Sequence, residues 1–175
     1  MKNKNLKIIE TERQLLCYLT GNNAEFILEI LNSASWLKYI GDRNVKTLDD
    51  AKKYIKDKII KSYKDNGFGL YLMRLKTDNS RVGLSGLVNR ESLEDVDIGF
   101  ALLEKYEGNG YAYEAASAVM NYAKTKLHLK RVVAITTDYN KRSQKLLEKL
   151  NMKYDKNIFI EGDEEELMLF GINFD

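Results

Sequence analysis

The chain has 175 residues, with 28 Lys and Arg against 26 Asp and Glu, for a net charge of +2. A chain this long buries about 70% of its unfolded surface, so it needs neither metal nor disulfide to hold a core. The near-balanced charge excludes a dedicated DNA-coating protein, which draws its phosphate affinity from a clustered basic excess.

Hydrophobic residues at 44% and charged residues at 31% describe a globule and not a disordered tail. Cys17 is the sole cysteine and there is no Cys/His cluster for zinc, which predicts a metal-free protein in a reducing, cytoplasmic compartment. Met1 to Ile9 carries Lys2, Lys4 and Lys7 but no apolar run long enough for a secretory signal. No segment approaches the roughly 18 apolar residues of a membrane span. Proline is absent, and neither a linker-like tract nor an internal repeat appears. Residues 1–175 therefore read as one domain.

Along the chain, Arg13–Thr20 (RQLLCYLT) is a short apolar run that suits a strand. Asn22 and Asn23 suit the cap of a helix in which Phe26, Ile27, Ile30 and Leu31 recur at helical spacing. Thr47 with Asp50 resembles a capping box. Leu48, Ala51, Tyr54, Ile55, Ile59 and Tyr63 then trace one helix face, ended by Asp65-Asn66-Gly67. Three strands follow at Gly69–Leu75, Val82–Val88 and Val96–Leu103, apolar enough to be covered on both faces. Tyr111–Leu127 is the clearest helix, with Ala112, Ala115, Ala116, Val119, Met120, Ala123 and Leu127 on one stripe. Arg131–Thr137 is a β-branched strand, Asn140–Leu150 a short helix, and Met152–Phe174 a hairpin around Glu161-Gly162-Asp163. Helices interleaved with strands predict an α/β or α+β class with a mixed sheet covered by helices.

The strand at Val96–Leu103 leads through Glu107-Gly108-Asn109-Gly110-Tyr111-Ala112 into the clearest helix. Two glycines at a strand-to-helix turn let backbone N–H groups converge on an anion beside the positive end of the helix dipole. The same pair also serves a tight turn with positive φ. No Lys-Ser/Thr follows the glycines, so this is no P-loop, and it lacks the third glycine of a dinucleotide fingerprint.

The string DIGFALLEKYEGNGYAYEAA, followed by RVVAITTDYNKRSQKLLEKLNMKY, resembles the GNAT superfamily of N-acetyltransferases, in particular its ribosomal-protein N-terminal acetyltransferase branch. The resemblance runs from TERQLL to LNMKY. It implies a mixed, mainly antiparallel sheet splayed at the fourth strand and flanked by helices, with acetyl-CoA in the splay as acetyl donor to an amine. It implies that the pyrophosphate rests on backbone N–H groups of Gly108, Asn109, Gly110, Tyr111 and Ala112, and that the pantetheine arm pairs with Ala101 and Leu102. Glu107 stands where relatives often carry Arg or Gln, which predicts an outward-turned side chain and help from Lys141 or Arg142.

Asn140 and Ser143 match the family's Asn and small residue at the next helix, where Asn140 also suits a plain N-cap. Leu147 replaces a frequent Tyr that protonates the departing thiolate, leaving Ser143 or a water as general acid. An attacking amine must lose a proton, since α-amino groups titrate near ~8 and lysine near ~10.4. Asp97 fits an acidic position of the branch and suits a base, and a strand-end Asp bonded to a loop amide is the alternative. Glu114 is a second candidate for the base, although an acidic residue is favoured at a helix start by the dipole alone. Trp36, Tyr39 and Gly41-Asp42-Arg43 match the acceptor side. Cys17 suits the core and His128 the surface. The acidic residues of 163–166, with Glu91, Glu94 and Asp95, would favour a cationic acceptor.

The resemblance thus implies an N-acetyltransferase acting on a protein N-terminus, a polyamine or a small-molecule amine, as monomer or homodimer, while the composition predicts no DNA, membrane or metal partner. A non-catalytic acyl-CoA sensor of the same fold is the alternative. A nucleic-acid binder built on the basic patch of 124–131 comes third, because no aromatic platform adjoins it.

Overall fold

A computed structural model describes residues 7–175. Lys2 and Lys4 lie outside the described residues. One eight-stranded sheet organises the chain, in the spatial order β1-β2-β3-β4-β5-β6-β8-β7. The strands are β1 (Lys7–Glu10), β2 (Gln14–Cys17), β3 (Leu70–Leu75), β4 (Arg81–Val88), β5 (Asp97–Leu102), β6 (Arg131–Thr136), β7 (Lys153–Ile158) and β8 (Leu167–Asn173). All neighbours are antiparallel except β5 and β6. Because β1 went unread in the sequence, the expected fourth strand is β5 here.

Helices cover both faces. On one, α5 (Tyr111–Thr125) and α6 (Lys141–Lys149) bury Val119, Ala123 and Leu147 against Leu16, Tyr71, Leu87 and Ile98. On the other, α1 (Ala24–Leu31), α2 (Ala34–Tyr39) and α3 (Leu48–Tyr54) bury Phe26, Ile27, Trp36 and Ala51 against Leu72 and Leu84. Tyr71 and Leu72, adjacent in β3, thus serve opposite cores, which is why β3 and β4 read as continuous apolar runs.

Local chemistry explains most boundaries. Thr47 and Asp50 form the expected reciprocal box: Asp50 N donates to Thr47 Oγ1 at 3.1 Å, and Thr47 N to Asp50 Oδ2 at 2.9 Å. Gly67 ends α4 (Lys61–Asn66) in the left-handed conformation at φ 76°. Between α3 and α4 the backbone is π-helical over Ile55–Ile60, which the side-chain pattern did not indicate. Leu48 is 44% exposed, so the start of this helical run lies off the buried face expected for it. Asn23 precedes α1 but accepts from Thr20 N at 2.8 Å instead of capping the helix.

Candidate active site

The site begins where β5 and β6 part. Val133 N donates to Val96 O at 2.9 Å, Asp97 pairs with Val133, and no further register pair joins the two strands. Backbone direction along β5 alternates with period two. Leu103 N donates to Val82 O at 2.9 Å, so Asp97, Gly99, Ala101 and Leu103 turn their amides toward β4. Ile98, Phe100 and Leu102 turn theirs toward β6 and, beyond the fork, into an unpaired edge. Leu102 therefore turns its amide to the open edge. The Ala101 carbonyl faces β4, so close that a Cβ on Gly83 would stand 2.2 Å from it. Phe100, which sequence reading missed, takes the edge-facing role. Anchoring the alternation on a single hydrogen bond would have found it.

The open edge runs into a turn. After a 3-10 segment at Glu104–Tyr106, Gly108 and Gly110 take φ 79° and 80°, and α5 starts on Gly110 without a side-chain cap. Those angles suit residues without Cβ. Among the described residues, no protein acceptor meets the N–H groups of Gly108, Asn109, Gly110, Tyr111 or Ala112. Gly108 is exposed, with nothing within 4 Å of where a Cβ would be. Unmet amides at a helix N-terminus form an anion site.

Glu107 does not turn out to solvent. It pairs with Arg142 of α6 and accepts from Ser35 Oγ of α2 at 3.3 Å, while Ser35 N donates to Glu104 at 3.1 Å. Its carboxylate ties three elements together at the mouth of the fork. Glu114 faces β1 and β2 instead, accepting from Thr11 Oγ1, Arg13 N and Arg13 Nε at 2.6, 2.8 and 2.6 Å. Burial raises its pKa, but those donors outweigh burial and hold it below the usual carboxylate range. An ionised carboxylate with its oxygens engaged is a poor base, so Glu114 is structural.

Asn140 precedes α6, and its Oδ1 accepts from Ser143 N at 3.2 Å, the N-cap geometry. Ser143 is half-buried in the first turn, and its hydroxyl has no protein partner among the described residues. Leu147 is fully buried in the core, so its position offers no group to the fork. Asp97, at the vertex, is 1% exposed and ion-paired with Arg90 from the β4–β5 connection. Burial pushes its carboxyl up to about 6, against the opposing pull of Arg90. Cys17 is buried, His128 exposed, and Trp36 packed in the α1–α3 core. Tyr39 lies 6.0 Å from Tyr139, whose hydroxyl donates to Glu165 at 2.7 Å, bringing α2, the β6–α6 connection and the β7–β8 hairpin together. Among the described residues, no group of three or more His, Cys, Asp or Glu gathers to hold a metal, and no helix is long and apolar enough to cross a membrane.

An unpaired strand edge leading into unmet helix-start amides fits a ligand with an extended, amide-bearing arm and a terminal anion. A family model described as "Acetyltransferase (GNAT) domain" matches residues 13–153, and the chain belongs to this family of N-acetyltransferases. It is 25% identical to an uncharacterized N-acetyltransferase, YoaA, of Bacillus subtilis over 83% of this chain and 82% of that protein. It is 26% identical to the ribosomal protein uS5-alanine N-acetyltransferase of Escherichia coli, over 54% of this chain and 50% of that one. The fold superposes on RimL, a ribosomal alpha-N-protein acetyltransferase solved with coenzyme A, with TM-score 0.79 and 15% identity over 98% and 99% of the two chains.

Proposed function

We propose that the chain works as one domain that moves an acetyl group from acetyl-CoA to a primary amine by direct attack, without an acyl-enzyme. The observation that carries this reading is the open edge at Phe100 and Leu102 running straight into the unmet amides of Gly108 to Ala112. Acetyl-CoA supplies the activated acetyl thioester. The protein's part is to bind and orient it. Amides of Gly108, Asn109, Gly110, Tyr111 and Ala112 hold the pyrophosphate at the α5 N-terminus. Phe100 and Leu102 pair with the pantetheine arm as an added strand, with Ala101 shaping that edge from the adjoining position.

An edge-facing N–H at Phe100 polarises the thioester carbonyl as an oxyanion-hole donor does. Asp97 lies three residues back, about 10 Å along the strand, so it accepts the amine proton through water. Its raised pKa suits that task. Ser143 donates a proton to the departing thiolate, and Asn140 holds the first turn of α6 that carries it. The acceptor is a protein N-terminus, a polyamine or a small amine metabolite, and the uS5-alanine enzyme among the relatives supports the first of these. We place the protein in the cytoplasm, as monomer or homodimer. Buried Leu147 favours one second reading, an acyl-CoA-binding module without turnover.

Thermal unfolding with acetyl-CoA, CoA and ATP tests the site. A ligand at about 100 times its Kd adds roughly 2.7 kcal/mol, and each kcal/mol moves the midpoint by about 2–4 °C at this size. Acetyl-CoA and CoA are expected to shift wild type by several degrees, ATP far less, and Gly110→Asp not at all. No shift at millimolar acetyl-CoA would sink the reading. Release of CoA in the presence of a panel of amines then separates the enzyme from the silent module.

A further inference from the structure

We propose that Arg13, in the β1–β2 turn, is a positioning residue that aims the amides of the glycine turn at acetyl-CoA. This inference rests on the function proposed above. Arg13 sits at a meeting of four groups. Its Nε donates to Glu114 Oε2 at 2.6 Å and its Nη1 to the Asn109 carbonyl at 2.9 Å. Its guanidinium lies 4.6 Å from the centre of the Tyr111 ring, and a Cβ on Gly110 would stand 3.4 Å from its Nη2. Thr11 Oγ1 and the Arg13 amide complete the grip on Glu114, and buried Gln14 donates to the Tyr111 carbonyl at 3.0 Å. The β1–β2 turn thereby holds both the loop and the first turn of α5.

The contact with Asn109 carries the argument. In a trans peptide the carbonyl and the following N–H point in opposite directions. Drawing the Asn109 carbonyl toward Arg13 therefore turns the Gly110 N–H away from it, out of the loop. Gly110, on the far side of this peptide, brings the conformational freedom of glycine to its rotation, and Gly108 lies one residue before it. Without an anchor, that plane is free to rotate and lose its aim. The charge on Arg13 is already met by Glu114, so its effect on an anionic ligand passes through this geometry and not through long-range attraction. Only a fork reaches both partners at once. A lysine keeps the charge and the ion pair but not the second arm.

The experiment compares Arg13→Lys and Arg13→Ala with wild type, measuring CoA binding by calorimetry, steady-state rates against acetyl-CoA, and unliganded melting. In both variants, the CoA Kd and the acetyl-CoA KM are expected to rise about tenfold, the scale of one charge-assisted hydrogen bond. Turnover at saturating acetyl-CoA is expected to stay within about twofold, the signature of lost uniform binding. The Arg13 side chain is 44% exposed, so the unliganded midpoint is expected to fall by no more than about 2–4 °C. Wild-type affinity in Arg13→Lys would overturn the proposal, because the charge alone would then suffice. A fall in turnover with affinity unchanged would overturn it equally. Failure of wild type to bind CoA would remove the acetyltransferase reading and this inference together, whereas CoA binding that survives both substitutions unchanged would remove this inference alone.

Discussion

Arg142, at the start of α6, forms an ion pair with Glu107, which immediately precedes the glycine turn. The Glu107 side chain is 24% exposed and the Arg142 side chain 65%, so the pair contributes about 0–1 kcal/mol to folding. On the function proposed above its importance is electrostatic: it neutralises a carboxylate beside the amides assigned to the diphosphate.

Removing the cation while keeping the carboxylate is therefore the informative change. Arg142→Ala is expected to raise the acetyl-CoA KM about tenfold, since a desolvated like charge near the ligand costs on the order of 1.4 kcal/mol. Glu107→Gln is expected to tighten binding. The double variant should behave more like Glu107→Gln than like Arg142→Ala. Calorimetric affinities for CoA across this cycle check the coupling, and simple additivity would show that the pair has no bearing on the cofactor.

Asp97 sets the expected pH behaviour. Its carboxyl is raised to about 6 by burial, above the usual value near 3.8. As proton acceptor it must be ionised, so kcat/KM is expected to rise with pH along a limb centred near 6. Asp97→Asn should lower the rate and abolish that limb. The stability effect has the opposite sense. Between about pH 4 and 6 the folded state holds this proton and the unfolded chain does not, so the Asp97 contribution to stability declines as pH rises through that window. Melting midpoints of wild type and Asp97→Asn across pH 4–7 check the sign.

Ser143→Ala separates proton donation from binding. If the hydroxyl protonates the thiolate, turnover is expected to fall about 100-fold, within the usual range for general acid catalysis. The acetyl-CoA affinity should hold, because the contact from Asn140 goes to the backbone amide of Ser143 and survives the change. An unchanged turnover number in single-turnover experiments would remove Ser143 from the mechanism.

Leu147 occupies the place of a frequent tyrosine, yet its environment is core. Leu147→Ala is expected to cost about 2–5 kcal/mol, as for other fully buried leucines. Leu147→Tyr is expected to destabilise by about 1–3 kcal/mol through overpacking, without raising turnover. Urea denaturation of both variants measures these costs directly.

The sequence carried more of the scaffold than of the site. Long periodic segments such as α5, and the β-branched run at β6, declare themselves because their side-chain pattern is their packing. Short elements do not. β1 spans four residues beside lysines, and α2 spans six, capped by Ser33 accepting from Trp36 N. The turn at Gly108 and Gly110 was legible because positive φ selects glycine. Its supports were not, since Glu107 finds Arg142 35 positions away and Arg13 finds Glu114 101 positions away. Such pairs exist only once the chain has folded. Phe100 was passed over in favour of Ala101 for a narrower reason: amide direction depends on which hydrogen bond anchors the strand, and composition does not encode that.

The single register pair between β5 and β6 has a mechanical consequence. β1 to β5 form one plate and β6, β8 and β7 another, and at this seam the pairing of Asp97 with Val133, with Val133 N donating to Val96 O, is the sole register pair before the gap. Any chain that lies in the gap becomes a rung-bearing splint between the plates. Deuterium uptake at Val133 should therefore slow when coenzyme A fills the gap, while the amides of β3, stitched on both sides, keep their own pace. The sheet would then be whole only when loaded, and its stiffness would serve as a gauge of occupancy.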